Sequence, residues 1–298
     1  MSPARILPLA VWLGTGLLWG TTWAVIRVGL RYIPPFTLSA LRTALAAATL
    51  LAFAMLFERG KLPPAREVRF WAVIGAMQIG MPYALIFWAE QYISSGLTAM
   101  LFATFPAFTA VAAHFVLKHE SLTLRKTAGT LLALVAVASL VGAAPSQRPP
   151  VGAVVAVLVA SMAAALGTVM VRRHGQSTST TWLTTIQVTS AAVLLTVLAL
   201  AFEAGRPAEF NLRSIAVVLY LAWVITVACY LGLFWLLKRL DATFVSMGVI
   251  FETVVGVFLG ALALGETLGG RVFAGLALVG LSVYLVTVRP KGAATVVP

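Results

Sequence analysis

Glu120-Ser121-Leu122 occurs again 146 residues later as Glu266-Thr267-Leu268, and these two stretches decide the fold. In both copies an arginine lies three residues after the leucine, and an Ala-Gly pair begins three residues after that arginine. A long apolar run precedes each copy and another follows it. A second correspondence, offset by 147 residues, pairs Tyr83, Phe87 and Trp88 with Tyr230, Phe234 and Trp235. Self-similarity at a nearly fixed offset indicates that the chain consists of two related halves.

The composition is typical of a membrane protein. Hydrophobic residues make up 61% of the 298 residues and charged residues 10%, whereas soluble domains contain roughly 45–50% and about 25%. No soluble fold of this length could bury so much apolar surface, so we expect the chain to cross a bilayer several times. It contains a single cysteine, Cys229, a single aspartate, Asp241, and three histidines. An intrachain disulfide is therefore excluded, and we expect no metal and no other cofactor.

The net charge of +12 does not indicate a nucleic-acid-binding protein. The basic residues stand singly or in small groups between apolar runs, as they do in the loops of membrane proteins. We therefore expect the lipid bilayer as a partner and no nucleic acid. The sequence does not determine the oligomeric state, and a monomer is favoured.

Ten candidate membrane-spanning segments follow from apolar runs that end at charged residues, Pro or Gly. Each must be helical, because an open strand in lipid would leave backbone groups unpaired, and the period-2 pattern of a barrel is absent. The first uncharged run, with 21 residues, is longer than a typical signal-peptide core, so we expect it to be retained. The predicted spans are 6–26, 35–57, 70–90, 95–117, 127–145, 151–171, 180–202, 214–237, 242–264 and 272–288.

Lysine and arginine are distributed unequally between the two sides of the predicted bundle. The two termini and the loops on their side hold 14 of these residues, the opposite loops hold 6, and Arg42 lies within a span. Because cytoplasmic loops carry the excess of positive charge, we expect both termini in the cytoplasm.

The two halves are predicted to be inverted repeats. Five spans per half is an odd number, so the second half enters the membrane from the opposite side. The seam lies in 143–150, which is rich in Pro and Ala, and we place the first five-helix repeat at 1–147 and the second at 148–298. The expected fold is an all-α membrane protein of ten transmembrane helices, with a cavity near the midplane between the repeats.

Several motifs of this chain together resemble one family. They are the duplicated glutamate stretch, Trp19-Gly20-Thr21-Thr22-Trp23 in the first span, Arg42 in the second and Pro106 in the fourth. In order and spacing they are similar to the drug/metabolite transporter superfamily, specifically its ten-helix EamA-type exporters. The resemblance covers essentially the whole chain and implies a secondary transporter of the bacterial inner membrane. The aromatic content of the predicted cavity helices is similar to that of exporters of aromatic and other neutral amino acids. The second half departs from the first by carrying Glu252 where the first carries Pro106.

Two charged side chains are predicted to lie inside the bilayer, where charge is costly and tends to face a cavity. Arg42 either binds an anionic group such as a substrate carboxylate, snorkels to the outer interface, or holds helices together. Glu252 lies too deep to snorkel. It either couples transport to protons, partners a substrate ammonium group, or is a protonated glutamate that bonds a neighbouring helix.

Other polar and aromatic residues are candidates for lining the cavity, although each could instead serve helix packing. The candidate lining residues are Trp19, Thr22, Gln78, Tyr83, Trp182, Gln187, Tyr230 and Ser246. Proline and glycine bend helices and expose backbone groups near the midplane of transporters. The candidate bends or gates are Gly80, Pro82, Pro106 and Gly248. The glutamates of the duplicated stretch, Glu120 and Glu266, are predicted to cap the helices that follow them.

The sequence favours export of amino acids or related small metabolites by alternating access. An apolar cavity with few polar groups suits a zwitterion with a bulky side chain, whereas a phosphorylated metabolite would require several cations. No phosphate-binding Gly-Lys-Ser/Thr loop is present, so the chain cannot hydrolyse ATP itself. Whether protons drive transport stays open. The alternative is a drug or quaternary-amine exporter that uses Glu252, and a remote alternative is an intramembrane lipid-modifying enzyme, for which the sequence lacks a catalytic cluster.

Overall fold

The computed structural model describes residues 3–58, 62–117, 123–141, 149–265 and 270–287. Within these ranges the protein is all-α and contains no strand. Its helices, some of which follow one another without a loop, form ten rods in one bundle. The helices are α1 (Pro3–Gly29), α2 (Pro35–Phe57), α3 (Ala65–Gly75), α4 (Met81–Ala89), α5 (Ser95–Phe102), α6 (Phe105–Val116), α7 (Leu124–Val141), α8 (Val151–His174), α9 (Thr180–Phe202), α10 (Leu212–Tyr220), α11 (Cys229–Leu237), α12 (Ala242–Ser246), α13 (Val249–Leu264) and α14 (Gly270–Thr287).

The apolar length of the rods fits a bilayer. In the part of the chain that the structure describes, eight rods are long and apolar enough to cross a membrane. The last rod contains a shorter apolar helix, Val272–Ser282. The predicted spans agree with the rods to within five residues at every end. The prediction of an all-α membrane protein is therefore confirmed.

The third and eighth rods are interrupted at equivalent places by π-helical segments. Ala76–Gly80 separates α3 from α4, and Leu221–Ala228 separates α10 from α11. Pro82 follows the first segment and has no N–H to give to the carbonyl of Gln78, which favours an irregular turn there. In the second segment the hydroxyl of Thr226 donates to the carbonyl of the first residue of that segment at 2.8 Å. Both repeats thus carry the same irregularity in the same helix.

The fourth rod breaks near its middle, and the ninth rod breaks nearer its start. Ala103 and Thr104 separate α5 from α6, and Pro106 lies in the first turn of α6. In the second repeat the break falls at Met247 and Gly248, and Gly248 is the N-cap residue of α13. Both repeats therefore carry a break in this rod, with a proline beside the break in the first repeat and a glycine within it in the second.

Equivalent helices of the two halves pack against each other in opposite directions. α2 lies along α9, and the carboxylate of Glu203, just after α9, accepts hydrogen bonds from the backbone N–H groups of Phe36 and Thr37 at 3.0 and 2.7 Å. α7 lies along α14, where the hydroxyl of Ser282 donates to the carbonyl of Gly129 at 2.7 Å. Antiparallel contact between equivalent helices is the arrangement that an inverted repeat produces.

α1 and α13 approach each other closely because glycines lie at their contact. A Cβ atom on Gly20 would lie 2.5 Å from the Cβ of Val255, and one on Gly16 would lie 2.8 Å from the carbonyl oxygen of Gly248. Small residues let helix backbones approach in a membrane, where packing replaces the hydrophobic effect. This contact fixes α1 against the break that precedes α13.

Gly20→Ala is expected to destabilise the protein by about 1–3 kcal/mol, because the added methyl group overpacks the contact with Val255. The measurement is the thermal unfolding midpoint of the purified protein in detergent. Gly14→Ala, in the same helix, is the matched control, since a Cβ atom on Gly14 meets nothing within 4 Å. Equal midpoints for the two variants would contradict the assigned role of Gly20.

Some predictions concern residues outside the described ranges. Glu120 and Glu266, which we expected to cap helices, lie there, as does the boundary between residues 147 and 148. The capping roles and the boundary stay predictions.

Candidate functional site

A chamber lies in the middle of the bundle, between the two repeats. It holds about 890 Å³ of space between protein atoms, a figure that includes the part open to solvent. Its walls come from the first, third, fourth, eighth and ninth rods, with one side chain from α2 and two from α8. The surface is mostly apolar. The polar and large aromatic side chains in the wall are Thr15, Trp19, Thr22, Trp23, Arg42, Gln78, Tyr83, Phe87, Phe102, Phe105, Thr168, Tyr230, Ser246 and Glu252.

Arg42 of α2 is fully buried in this wall. Its Nη2 donates to the hydroxyl oxygens of Thr226 at 2.9 Å and Tyr83 at 3.0 Å, and its Nε donates to Thr226 at 3.2 Å. The guanidinium carbon lies 4.3 Å from the centre of the Tyr83 ring, a geometry that stabilises a cation over an aromatic face. The π-helical segment matters here because it holds Thr226, whose own hydrogen goes to a backbone carbonyl. The oxygen of Thr226 is thus free to accept from Arg42.

The guanidinium of Arg42 nevertheless lacks a full set of partners. Its Nη1 has no hydrogen-bond acceptor, and no carboxylate lies within salt-bridge distance, among the residues that the structure describes. Complete burial also means that Arg42 does not snorkel to the membrane interface. A buried cation without an anion is costly unless a ligand supplies the missing charge. Arg42 can therefore receive an anionic group.

Gln78 lies in the π-helical segment before α4 and is 2% exposed. Its Nε2 donates to the hydroxyl oxygen of Thr168 on α8 at 3.3 Å, whereas its Oε1 has no partner within the described chain. Gly167 makes this contact possible, because a Cβ atom there would lie 2.3 Å from the Cβ of Gln78. The wall therefore contains a buried acceptor that no described residue satisfies.

Glu252 lies in the first turn of α13, directly after the break at Gly248, and lines the chamber. It is 8% exposed, and within the described ranges its carboxyl group has no hydrogen-bond or ion-pair partner. The structure therefore does not show the bond to a neighbouring helix that one interpretation of the sequence required. Glu252 is available to a ligand or to protons.

Aromatic rings form much of the remaining wall. Trp19 and Tyr230 meet edge to face with centroids 5.6 Å apart, and Tyr83 lies 6.4 Å from Tyr230. On the other side Trp23 packs on Phe102 at 5.5 Å. These rings offer both apolar area and faces that attract cations.

The structure brings most of the predicted cavity residues together and leaves two elsewhere. Trp182 and Gln187 of α9 are buried outside the chamber, and Gln187 lies against Gly75 of α3. Gly80 and Pro106 also lie outside the lining; Gly80 faces α9. The predicted residues that line the chamber are Trp19, Thr22, Arg42, Gln78, Pro82, Tyr83, Tyr230, Ser246, Gly248 and Glu252.

Sequence reasoning missed several residues that build the site. Thr226 and Thr168 orient Arg42 and Gln78, and Gly167 makes room for Gln78. A threonine or glycine inside an apolar helix carries no signal that separates such a role from ordinary packing. The offset between the halves places Thr226 in the helix equivalent to that of Gln78, but it does not indicate that the hydroxyl group has a role.

A central chamber between two inverted repeats of membrane helices defines a membrane transporter. The chain belongs to the EamA-like transporter family, whose model matches residues 7–142 and again residues 151–288. It is similar to "Uncharacterized transporter YoaV" of Bacillus subtilis, with 27% identity over 91% of this chain and 93% of that protein. It is also similar to "Uncharacterized inner membrane transporter YedA" of Escherichia coli K12, with 28% identity over 91% and 87%. A solved structure with 20% identity aligns with a TM-score of 0.72 over 94% of this chain and 96% of its own, which shows a shared fold.

The resemblance to EamA-type proteins of the drug/metabolite transporter superfamily is thereby confirmed. The protein is a multi-pass transporter of the inner membrane with a small-molecule substrate. Family and relatives point to a carrier and not to an intramembrane enzyme.

Proposed function

We propose that this protein is a secondary transporter that exports aromatic and other neutral amino acids, or closely related metabolites, by alternating access. The observation that carries the proposal is the chamber wall. Among the described residues, it combines the guanidinium of Arg42, which has no counter-ion and an Nη1 without an acceptor, with the carboxyl group of Glu252, which has no hydrogen-bond or ion-pair partner. Aromatic rings between the repeats complete the wall. These groups are complementary to a zwitterion with a bulky apolar side chain.

The charge of the chamber restricts the substrate class. Arg42 is the one lysine or arginine among the described residues that line it. A phosphate group with two negative charges would therefore meet only one positive charge. A single carboxylate matches the charge of a single guanidinium, and Nη1 of Arg42, which has no acceptor among the described residues, can donate a charge-assisted hydrogen bond to it. The aromatic wall around Trp19 and Tyr230 then receives the side chain.

The paired irregularities support alternating access. Each repeat has a π-helical segment in one rod and a break in the next. Helix regions of this kind absorb backbone rotation at small cost, and inverted repeats can exchange their conformations so that the chamber opens to either side. We place both termini in the cytoplasm, on the charge distribution of 14 against 6, and the boundary between the repeats at residues 147 and 148.

A second candidate is export of drugs or quaternary amines. Glu252 favours it, because a buried carboxyl group beside aromatic faces is suited to an organic cation. Such a carrier would use the same chamber and would not need Arg42 as an anion site.

The test is counterflow in proteoliposomes that contain the purified protein, with a panel of neutral, aromatic and cationic amino acids and drug-like cations. We expect exchange of labelled phenylalanine without chemical change, and competition by other neutral amino acids. Exchange of quaternary amines alone would favour the second candidate. Exchange of neither class would overturn the proposal.

A further inference from the structure

Hydrogen bonds in the wall determine the orientation of the Gln78 amide. The hydroxyl of Thr168 donates its only hydrogen to the carbonyl oxygen of Ala164 at 2.9 Å. Its oxygen can then only accept, so the group of Gln78 that faces it at 3.3 Å must be the NH₂. The carbonyl oxygen of Gln78 therefore points away from Thr168.

This oxygen is a hydrogen-bond acceptor without a donor among the described residues. Gln78 is 2% exposed, and its Oε1 has no hydrogen-bond partner in the described chain, although the residue lines the chamber. Packing of its Cβ directly over Gly167 holds the side chain in place. Buried carbonyl oxygens in native proteins are nearly always satisfied, so an unsatisfied one in a cavity wall indicates a ligand group.

One π-helical segment carries a hydrogen-bond acceptor of the chamber wall, and the other positions a hydrogen-bond donor of the same wall. The segment Ala76–Gly80 contributes Gln78, whose free atom accepts. The segment Leu221–Ala228 contributes Thr226, which holds Arg42, and Nη1 of Arg42 has no acceptor among the described residues. The segment of the first repeat thus supplies the acceptor, and the equivalent segment of the second repeat holds the donor, Arg42 of α2.

We propose that these two groups belong to one binding site, in which Arg42 binds the substrate carboxylate and Gln78 Oε1 accepts a hydrogen bond from an N–H of the substrate amino group. This inference rests on the proposed function and narrows it. A quaternary ammonium group has no N–H to donate, so the site selects amino acids with a primary or secondary ammonium group over their quaternary derivatives.

The experiment measures inhibition of phenylalanine counterflow in proteoliposomes by three competitors: phenylalanine, N,N,N-trimethylphenylalanine and 3-phenylpropanoate. In the wild type we expect phenylalanine to compete at least about tenfold better than its trimethyl derivative, because the trimethylammonium group cannot donate the charge-assisted hydrogen bond to Gln78. Gln78→Leu removes the acceptor and should abolish this preference without changing inhibition by 3-phenylpropanoate. Gln78→Glu keeps an acceptor and should keep the preference.

Gln187→Leu is the matched control. Gln187 is a fully buried glutamine whose amide atoms also lack partners in the described chain, but it lies outside the chamber. The preference should survive in this variant. An unchanged preference in Gln78→Leu, or its equal loss in Gln187→Leu, would overturn the inference.

A further variant guards against a Gln78→Leu protein that does not fold. Thr168→Val removes the acceptor that orients the amide, so we expect the preference to fall there as well, and an unchanged preference would overturn the inference. Failure of the wild type to exchange any amino acid is a different result, because it overturns the proposed function itself.

Discussion

Arg42→Met is expected to lower phenylalanine transport by about 100-fold and to leave the thermal stability of the protein unchanged or raised. The loss of transport follows because Arg42 is the one cationic side chain among the described residues that line the chamber, and its Nη1 has no acceptor among them. The gain or maintenance of stability follows because the variant no longer buries a charge that lacks a counter-ion among the described residues. Counterflow and the thermal midpoint in detergent measure the two effects on the same preparation.

A substrate-level control separates binding from folding in this variant. Phenethylamine is phenylalanine without its carboxylate, so its competition should be nearly the same in the wild type and in Arg42→Met. Arg42→Lys keeps the charge but loses the planar fork that contacts Thr226 and Tyr83, and intermediate transport is expected. A lower midpoint in Arg42→Met, with equal loss for both ligands, would show that Arg42 holds helices together instead.

Glu252→Gln is expected to abolish the response of transport to a pH gradient while counterflow without a gradient continues. The carboxyl group has no hydrogen-bond or ion-pair partner within the described ranges and lines the chamber at the break before α13. In the proposed alternating-access cycle it can therefore take up a proton on one side and release it on the other, which the amide cannot. The measurement is phenylalanine flux in proteoliposomes with and without an imposed pH gradient.

Glu203→Gln supplies the matched control for Glu252. Glu203 is also buried, at 4% exposure, but its carboxylate is bound to the start of α2 and lies outside the chamber. This variant should be less stable and should keep the response to the pH gradient. If Glu252→Gln responds to the gradient as the wild type does, Glu252 is not the coupling residue.

Much of the fold could be predicted because the bilayer imposes local rules. An apolar run of sufficient length must be helical, and its ends are marked by charge, Pro or Gly, so the ten spans could be placed closely. An odd number of spans per repeat then implies inversion, and the antiparallel contact of Glu203 with α2 agrees with it. These inferences need no knowledge of which helices touch.

The site could be predicted only in part, because depth in the membrane does not tell which way a side chain faces. Gln78 and Gln187 both lie inside spans, yet Gln78 lines the chamber and Gln187 lies against Gly75 of α3. In a soluble protein the polar face of a helix reveals its orientation. In this protein both the lipid side and the core side of a helix are apolar, so that signal is weak.

The sequence alone determined the helices, their order, the duplication and the small set of polar groups that lipid makes costly. The contacts between helices established that Thr226 holds Arg42, that Thr168 and Gly167 hold the side chain of Gln78 in place, and that the carboxyl group of Glu252 has no partner among the described residues. The physical reason is that helix formation depends on neighbours along the chain, whereas hydrogen bonding across the chamber depends on the rotation and close approach of helices that are distant in sequence.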